Sequence, residues 1–161
     1  MPDWLTRPMN RIRIHNRQRL HRLDGTALRE LGTALLRRAA RLNKACDGLG
    51  VDLLLVDDAG SASINAATLG HAGPTDVITL PYDALPGLPD EASAEIVLNV
   101  ECARRLGKTL AGADRELALY LAHACDHLCG FDDQTLAARR SMRRREWRWL
   151  AQTGIPVLFT R

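Results

Sequence analysis

Apolar and polar positions along the chain follow two periods. Arg11-Ile-Arg-Ile-His-Asn16 alternates residue by residue, the pattern of a half-exposed strand. Leu28, Leu31, Leu35 and Leu42 then recur at helical spacing, which predicts a helix capped by Asp24 that runs to about Cys46 and is stopped by Gly48 and Gly50. Val51 to Val56 is nearly continuous in apolar residues and reads as a well-buried strand. A turn at residues 57–61 follows, with Ser61 or Ser63 opening a short helix through Leu69. Gly73-Pro74 breaks the chain before a β-branched strand, Asp76 to Leu80, stopped by Pro81. Prolines and Gly87 make residues 81–89 a loop, and Ala94 to Leu98 resumes the sheet. Three helices complete the pattern: Val100 to Leu106, one from Asp114 or a near neighbour to Gly130, and one from Gln134 to Ala151 packing through Trp147, Trp149 and Leu150.

Strands and helices intermix, so the expected fold class is α+β, with one small mixed sheet of about four strands packed against about five helices. At 161 residues the chain makes one domain, read as residues 11–161, preceded by a flexible tail at residues 1–10. No apolar run nears the roughly 20 residues of a membrane span, and no secretory leader is legible. Four cysteines without a CxxC pair read as free thiols in a reducing cytosol, Cys125 and Cys129 as packed core groups. Net charge is only +3, but arginines crowd residues 7–22 and again Arg139, Arg140, Arg143, Arg144, Arg145 and Arg148. Clustered arginine suits phosphate contact, and a solvated helix face partly balanced by Glu146 is the plainer reading. Aromatic residues are scarce, at 4%, which argues against a row of rings stacking on single-stranded RNA.

The densest chemistry lies at residues 121–133, Leu-Ala-His-Ala-Cys-Asp-His-Leu-Cys-Gly-Phe-Asp-Asp. His123 and His127, four apart on a helix, are turned about 40° from each other and rise roughly 6 Å, so their rings can converge. Gly130 stands where helices end in a left-handed turn, which would swing Asp133 back toward the rings. Two imidazoles and a carboxylate form an open three-ligand set that leaves a position for water or substrate. His pairs on surface helices often bind nothing, so the spacing needs its structural context to decide for a metal.

Three blocks resemble the YbeY family of bacterial rRNA maturation factors, described as metal-dependent endoribonucleases. Residues 73–81, Gly-Pro-Thr-Asp-Val-Ile-Thr-Leu-Pro, are similar to the family's PTDVLSFP strand. Ala94-Glu-Ile-Val-Leu98 is similar to its GDIVIS strand, and His123 to Asp133 matches HGxLHLxGYDH in spacing. Asn65 fits the family's LN element, and Ile14-His-Asn-Arg-Gln18 is similar to its N-terminal strand. The blocks keep the family's order over most of the chain. The resemblance implies a metallohydrolase domain with His123, His127 and Asp133 as ligands to one divalent ion, Asp133 standing where the family usually has histidine. Zinc accepts either donor and is the first choice, although the added charge moves preference slightly toward harder ions such as manganese. Ala124, Cys125 and Asp126 replace the family's Gly-x-Leu. Counting back from Pro74, the arginine considered important for catalysis in the family falls on Leu69. Arg104, Arg105, Lys108 or an arginine of the last helix would have to supply that charge.

The function so implied is single-strand-type endoribonuclease action in rRNA maturation and ribosome assembly or quality control, in the cytoplasm. The partners are rRNA and a ribosomal subunit or ribosomal protein, with no membrane and no organic cofactor. Asp126, roughly 60° from His123 around the helix, is a candidate to orient a ligand or take a proton, with an exposed carboxylate as the plainer reading. Asp76 is either a partner to an imidazole or a cap for its strand's turn. Arg139, Arg140, Arg143 and Arg144 are candidates for RNA phosphates. One alternative is a non-catalytic assembly factor that binds rRNA or a ribosomal protein and keeps a structural metal. A zinc metalloprotease is the weaker rival: HExxH needs Glu where Ala124 stands, and an inverted HxxEH pattern would need Asp126 in place of Glu, with Glu146 as the further ligand.

Overall fold

The structure is a computed structural model and describes residues 10–82 and 94–161. The tail expected at residues 1–10 and the loop at 81–89 fall almost wholly outside these. Strands β1 (Arg11–Asn16), β3 (Gly50–Val56), β5 (Ala94–Asn99) and β4 (Val77–Pro81) form one sheet in that order, the first three parallel and β4 antiparallel to β5. Two short strands, β2 (Arg22–Leu23) and β6 (Phe159–Thr160), pair antiparallel in a separate ribbon that the sequence pattern did not predict. Five helices occur among the described residues: α1 (Gly25–Leu42), α2 (Asp58–Leu69), α3 (Val100–Gly107), α4 (Leu110–Leu128) and α5 (Leu136–Thr153). The α+β class, with a mixed four-stranded sheet and five helices, is as the pattern predicts.

Side chains alternate across strands, so β3 and β5 divide their apolar residues between two faces. Val51, Leu53, Leu55, Ile96 and Leu98 meet α1 and α4 in the larger core, while Leu54, Val56, Val97 and Ile78 pack under Ile64 of α2. Full burial of a leucine contributes about 1.5–3 kcal/mol, so the larger core dominates the fold. Leu28, Leu31 and Leu35 are buried on α1 as predicted, with Leu36 and Ala39 beside them, but Leu42 is exposed. The helix ends at the extended Asn43 rather than running on to about Cys46, and a 3₁₀ turn at Lys44–Cys46 follows.

Two helix starts also differ from the prediction. Asp57 caps α2 through a bond to the Gly60 N–H (2.8 Å), which frees Ser61 to bind Thr75 ahead of β4. Thr109 caps α4, whereas Asp114 lies inside that helix and is buried. The α3–α4 corner is too tight for a side chain, since a Cβ on Gly112 would stand 2.0 Å from the Gly107 carbonyl oxygen. Asp114 Oδ1 accepts the backbone N–H groups of Leu158 (2.9 Å) and Phe159 (2.8 Å), tying the C-terminal segment to α4. Asp114→Ala leaves both buried donors unpaired. It should lower unfolding free energy by about 2–4 kcal/mol in urea titrations, with Asp114→Asn, which keeps an acceptor, losing less.

Candidate metal centre

Helix α4 is buried along most of its length, with Leu117, Leu121, Ala118, Ala122, Ala124 and Cys125 all in the core. Cys125 and Cys129 face the core as predicted, and all four cysteines are free and buried. Arg115 and Glu116 emerge near its start, and near its C-terminal end His123 and His127 are half-buried. Beyond the helix, Gly130 has φ +94°, a conformation that favours glycine, and its N–H bonds the His127 carbonyl (2.9 Å). The chain turns back and brings Asp133 Oδ2 to 3.7 Å from His123 Nε2 and 3.9 Å from His127 Nε2. Asp132 instead accepts from the Gln134 N–H.

The outward-facing nitrogens of the two rings lie 3.0 Å apart. Their other nitrogens are both committed. His127 Nδ1 lies 3.1 Å from the Phe131 carbonyl oxygen, which only accepts, so this nitrogen carries the proton. His123 Nδ1 lies 2.7 Å from Glu146 Oε1 and donates to that carboxylate. With both Nδ1 atoms donating, the two Nε2 atoms converge beside a carboxylate, a cluster of three donor atoms that one shared cation would bridge. Tetrahedral zinc with bonds of about 2.0–2.1 Å separates its donors by about 3.3 Å. The observed 3.0, 3.7 and 3.9 Å bracket that value, and among the described residues this is the one group of three such donors within 4.8 Å. The donor set fits a small divalent ion.

Burial alone would lower the His123 pKa. The hydrogen bond and charge of Glu146, with Asp133 and Asp76 farther off, outweigh it and hold the pKa above the ordinary value. Asp126 corrects the expectation of an exposed carboxylate: it is fully buried, and its Oδ1 accepts from Arg145 Nε (2.8 Å) rather than from an imidazole. Burial lifts its carboxyl above the ordinary carboxylate range, Arg145 offsets part of this, and Glu146 adds to the rise. The Arg145 guanidinium also sits 3.6 Å over the Phe131 ring, steadying the turn that carries Asp133. Asp76 serves its own turn, accepting from Val77 N (2.8 Å) and Thr75 Oγ1 (3.2 Å).

Two grooves meet at the cluster, and both are lined by Asp76, His123 and Asp133. One, of about 720 Å³, runs along α5 past Arg139, Arg140 and Arg143. The other, of about 460 Å³, runs between α2 and β4 past Leu69, Thr75 and Ile78. Position 69 therefore lies at the site and offers no charge there. Arg144 is exposed on α5 but does not line the larger groove. Arg105 is paired with Asp58 (2.6 Å) and Arg104 bonds the Lys108 carbonyl, and neither they nor Lys108 line either of these two grooves.

Glu146 is the site residue that sequence reasoning misplaced. Its sign was available: with Met142, Trp149 and Leu150 it forms the buried stripe of α5, where a carboxylate is out of place.

Fold and cluster together define a small α+β protein that presents an open two-imidazole, one-carboxylate donor set at a groove junction. The family model described as Endoribonuclease YbeY matches residues 13–154. A Rhodopirellula baltica protein named Endoribonuclease YbeY is 36% identical over 133 residues, 82% of this chain and 67% of its own. One of the same name from Chlorobium phaeovibrioides is 32% identical over 141 residues, 86% of this chain and 93% of its own. The solution structure of TM1509 from Thermotoga maritima aligns with a TM-score of 0.52 at 18% identity, covering 90% of this chain and 91% of that one, which supports the fold alone. The chain belongs to the YbeY family.

The buried Asp126–Arg145 pair joins α4 to α5. Arg145→Met strands a buried carboxylate and should cost about 3–5 kcal/mol in thermal or urea unfolding. The double variant Arg145→Met/Asp126→Leu should recover most of that loss.

Proposed function

We propose that this chain is a metal-dependent endoribonuclease that cuts single-stranded segments of rRNA during maturation and ribosome assembly or quality control. Family membership supports the nuclease class. The observation that carries the metal dependence is the convergence of the two Nε2 atoms, 3.0 Å apart, with the Asp133 carboxylate in one cluster of donors. His123, His127 and Asp133 hold one divalent ion, zinc by preference. Bound there, the ion would polarise a phosphate oxygen and make a bound water more acidic. Glu146 and the Phe131 carbonyl keep the imidazoles turned toward it. Arg139, Arg140 and Arg143 hold phosphates of the strand along the larger groove, and Arg144 extends the basic face. No organic cofactor takes part. No helix among the described residues is long and apolar enough to cross a membrane, and the site of action we assign is the cytoplasm.

Leu69 favours a second reading, since the charge the family places there is absent from the groove wall. In it, the protein binds rRNA or a ribosomal protein as an assembly factor and the metal is structural. Zinc-loaded wild type should cleave structured rRNA fragments, and His123→Ala, His127→Ala and Asp133→Ala should lose cleavage while staying folded and still binding RNA. Arg139→Gln and Arg143→Gln should each weaken binding and flatten its log–log salt dependence by about 0.7 per lost contact. RNA binding without cleavage by pure, metal-loaded wild type would favour the assembly factor instead.

A further inference from the structure

We infer that Glu146 is the positioning residue for His123: it fixes the ring's proton on Nδ1 and so commits Nε2 to the cation. This rests on the metal reading above and adds a residue to it. Three observations support the role. First, the Oε1 to Nδ1 distance of 2.7 Å is that of a strong, charge-assisted bond. Second, Glu146 is 1% exposed on the apolar stripe of α5, and its Oε2 has no hydrogen-bond partner among the described residues. Burying a carboxylate with one oxygen unsatisfied is costly, and packing of α5 alone gives no reason to retain it. Third, the one cation nearest in sequence does not neutralise it by hydrogen bonding, because Arg145 Nε is turned to Asp126. The charge of Glu146 is left to the imidazole.

The two histidines are thus oriented by different means. His127 is held by a backbone carbonyl, which no substitution removes, whereas His123 is held by one replaceable side chain from another helix. A carboxylate behind an imidazole fixes its tautomer, limits its rotation and makes the outer nitrogen a better donor. Docking of α5 on α4 and the orientation of His123 are therefore linked through a single side chain.

The test compares wild type, Glu146→Gln and Glu146→Ala for zinc affinity by chelator competition, with the His123 tautomer read from long-range ¹H–¹⁵N spectra of the metal-free proteins. Glu146→Ala should bind zinc about 10–100-fold more weakly, with part of the His123 population moving its proton to Nε2. Glu146→Gln keeps an acceptor oxygen and should retain the Nδ1–H tautomer, with affinity restored at least in part. A purely structural role would lower thermal stability without moving the tautomer. If Glu146→Ala does not fold, the Glu146→Gln spectrum decides, and an Nε2–H form there overturns the proposal. So does wild-type zinc affinity in a folded Glu146→Ala. Wild type that is folded and binds no zinc would overturn the metal reading itself, and this role with it.

Discussion

Helix α4 is held on nearly all sides. Leu117 and Leu121 are fully buried in the core shared with α1 and the sheet, the Gly107–Gly112 approach fixes its start, and Asp114 ties it to the C-terminal segment. A helix so constrained cannot rotate to hide or expose its last two turns. The placement of His123 and His127 at the groove junction follows from packing many ångströms away. Everything polar at the site is built outward from this buried rod.

The polar groups around the two rings form a second constraint. Both Nδ1 atoms are committed, one to a backbone carbonyl and one to a carboxylate, so both Nε2 atoms face the same point. Asp133 reaches that point because Gly130 takes a positive φ. Buried acids stand close behind: Asp126 is matched by Arg145, and Glu146 is spent on His123. The arginines of α5 divide accordingly. Arg145 turns inward to hold α4, while Arg139, Arg140 and Arg143 line the groove where a polyanion would lie.

Much of this was legible in the sequence where one period or one turn residue decides the outcome. The buried run at Val51–Val56, the stripe of Leu28, Leu31 and Leu35, and the His–His–Gly–Asp spacing each follow from local geometry. Asp114 misled because an aspartate near a helix start looks like a cap, whereas its partners lie 44 and 45 residues away. Asp126 and Glu146 misled for a related reason. Asp126 beside a histidine reads as an exposed carboxylate and Glu146 among arginines as part of a solvated face, and only the α4–α5 contact shows that both are buried. The β2–β6 ribbon is two residues a side, too short for any alternation to register. What the sequence hid was long-range pairing of polar groups, which has no period.

The most direct test of the account is X-ray absorption at the zinc edge of the loaded protein. One zinc per chain with only nitrogen and oxygen donors at about 2.0–2.1 Å, including two imidazoles, is the predicted result. Sulfur at about 2.3 Å would place the ion among the buried cysteines instead and contradict the site described.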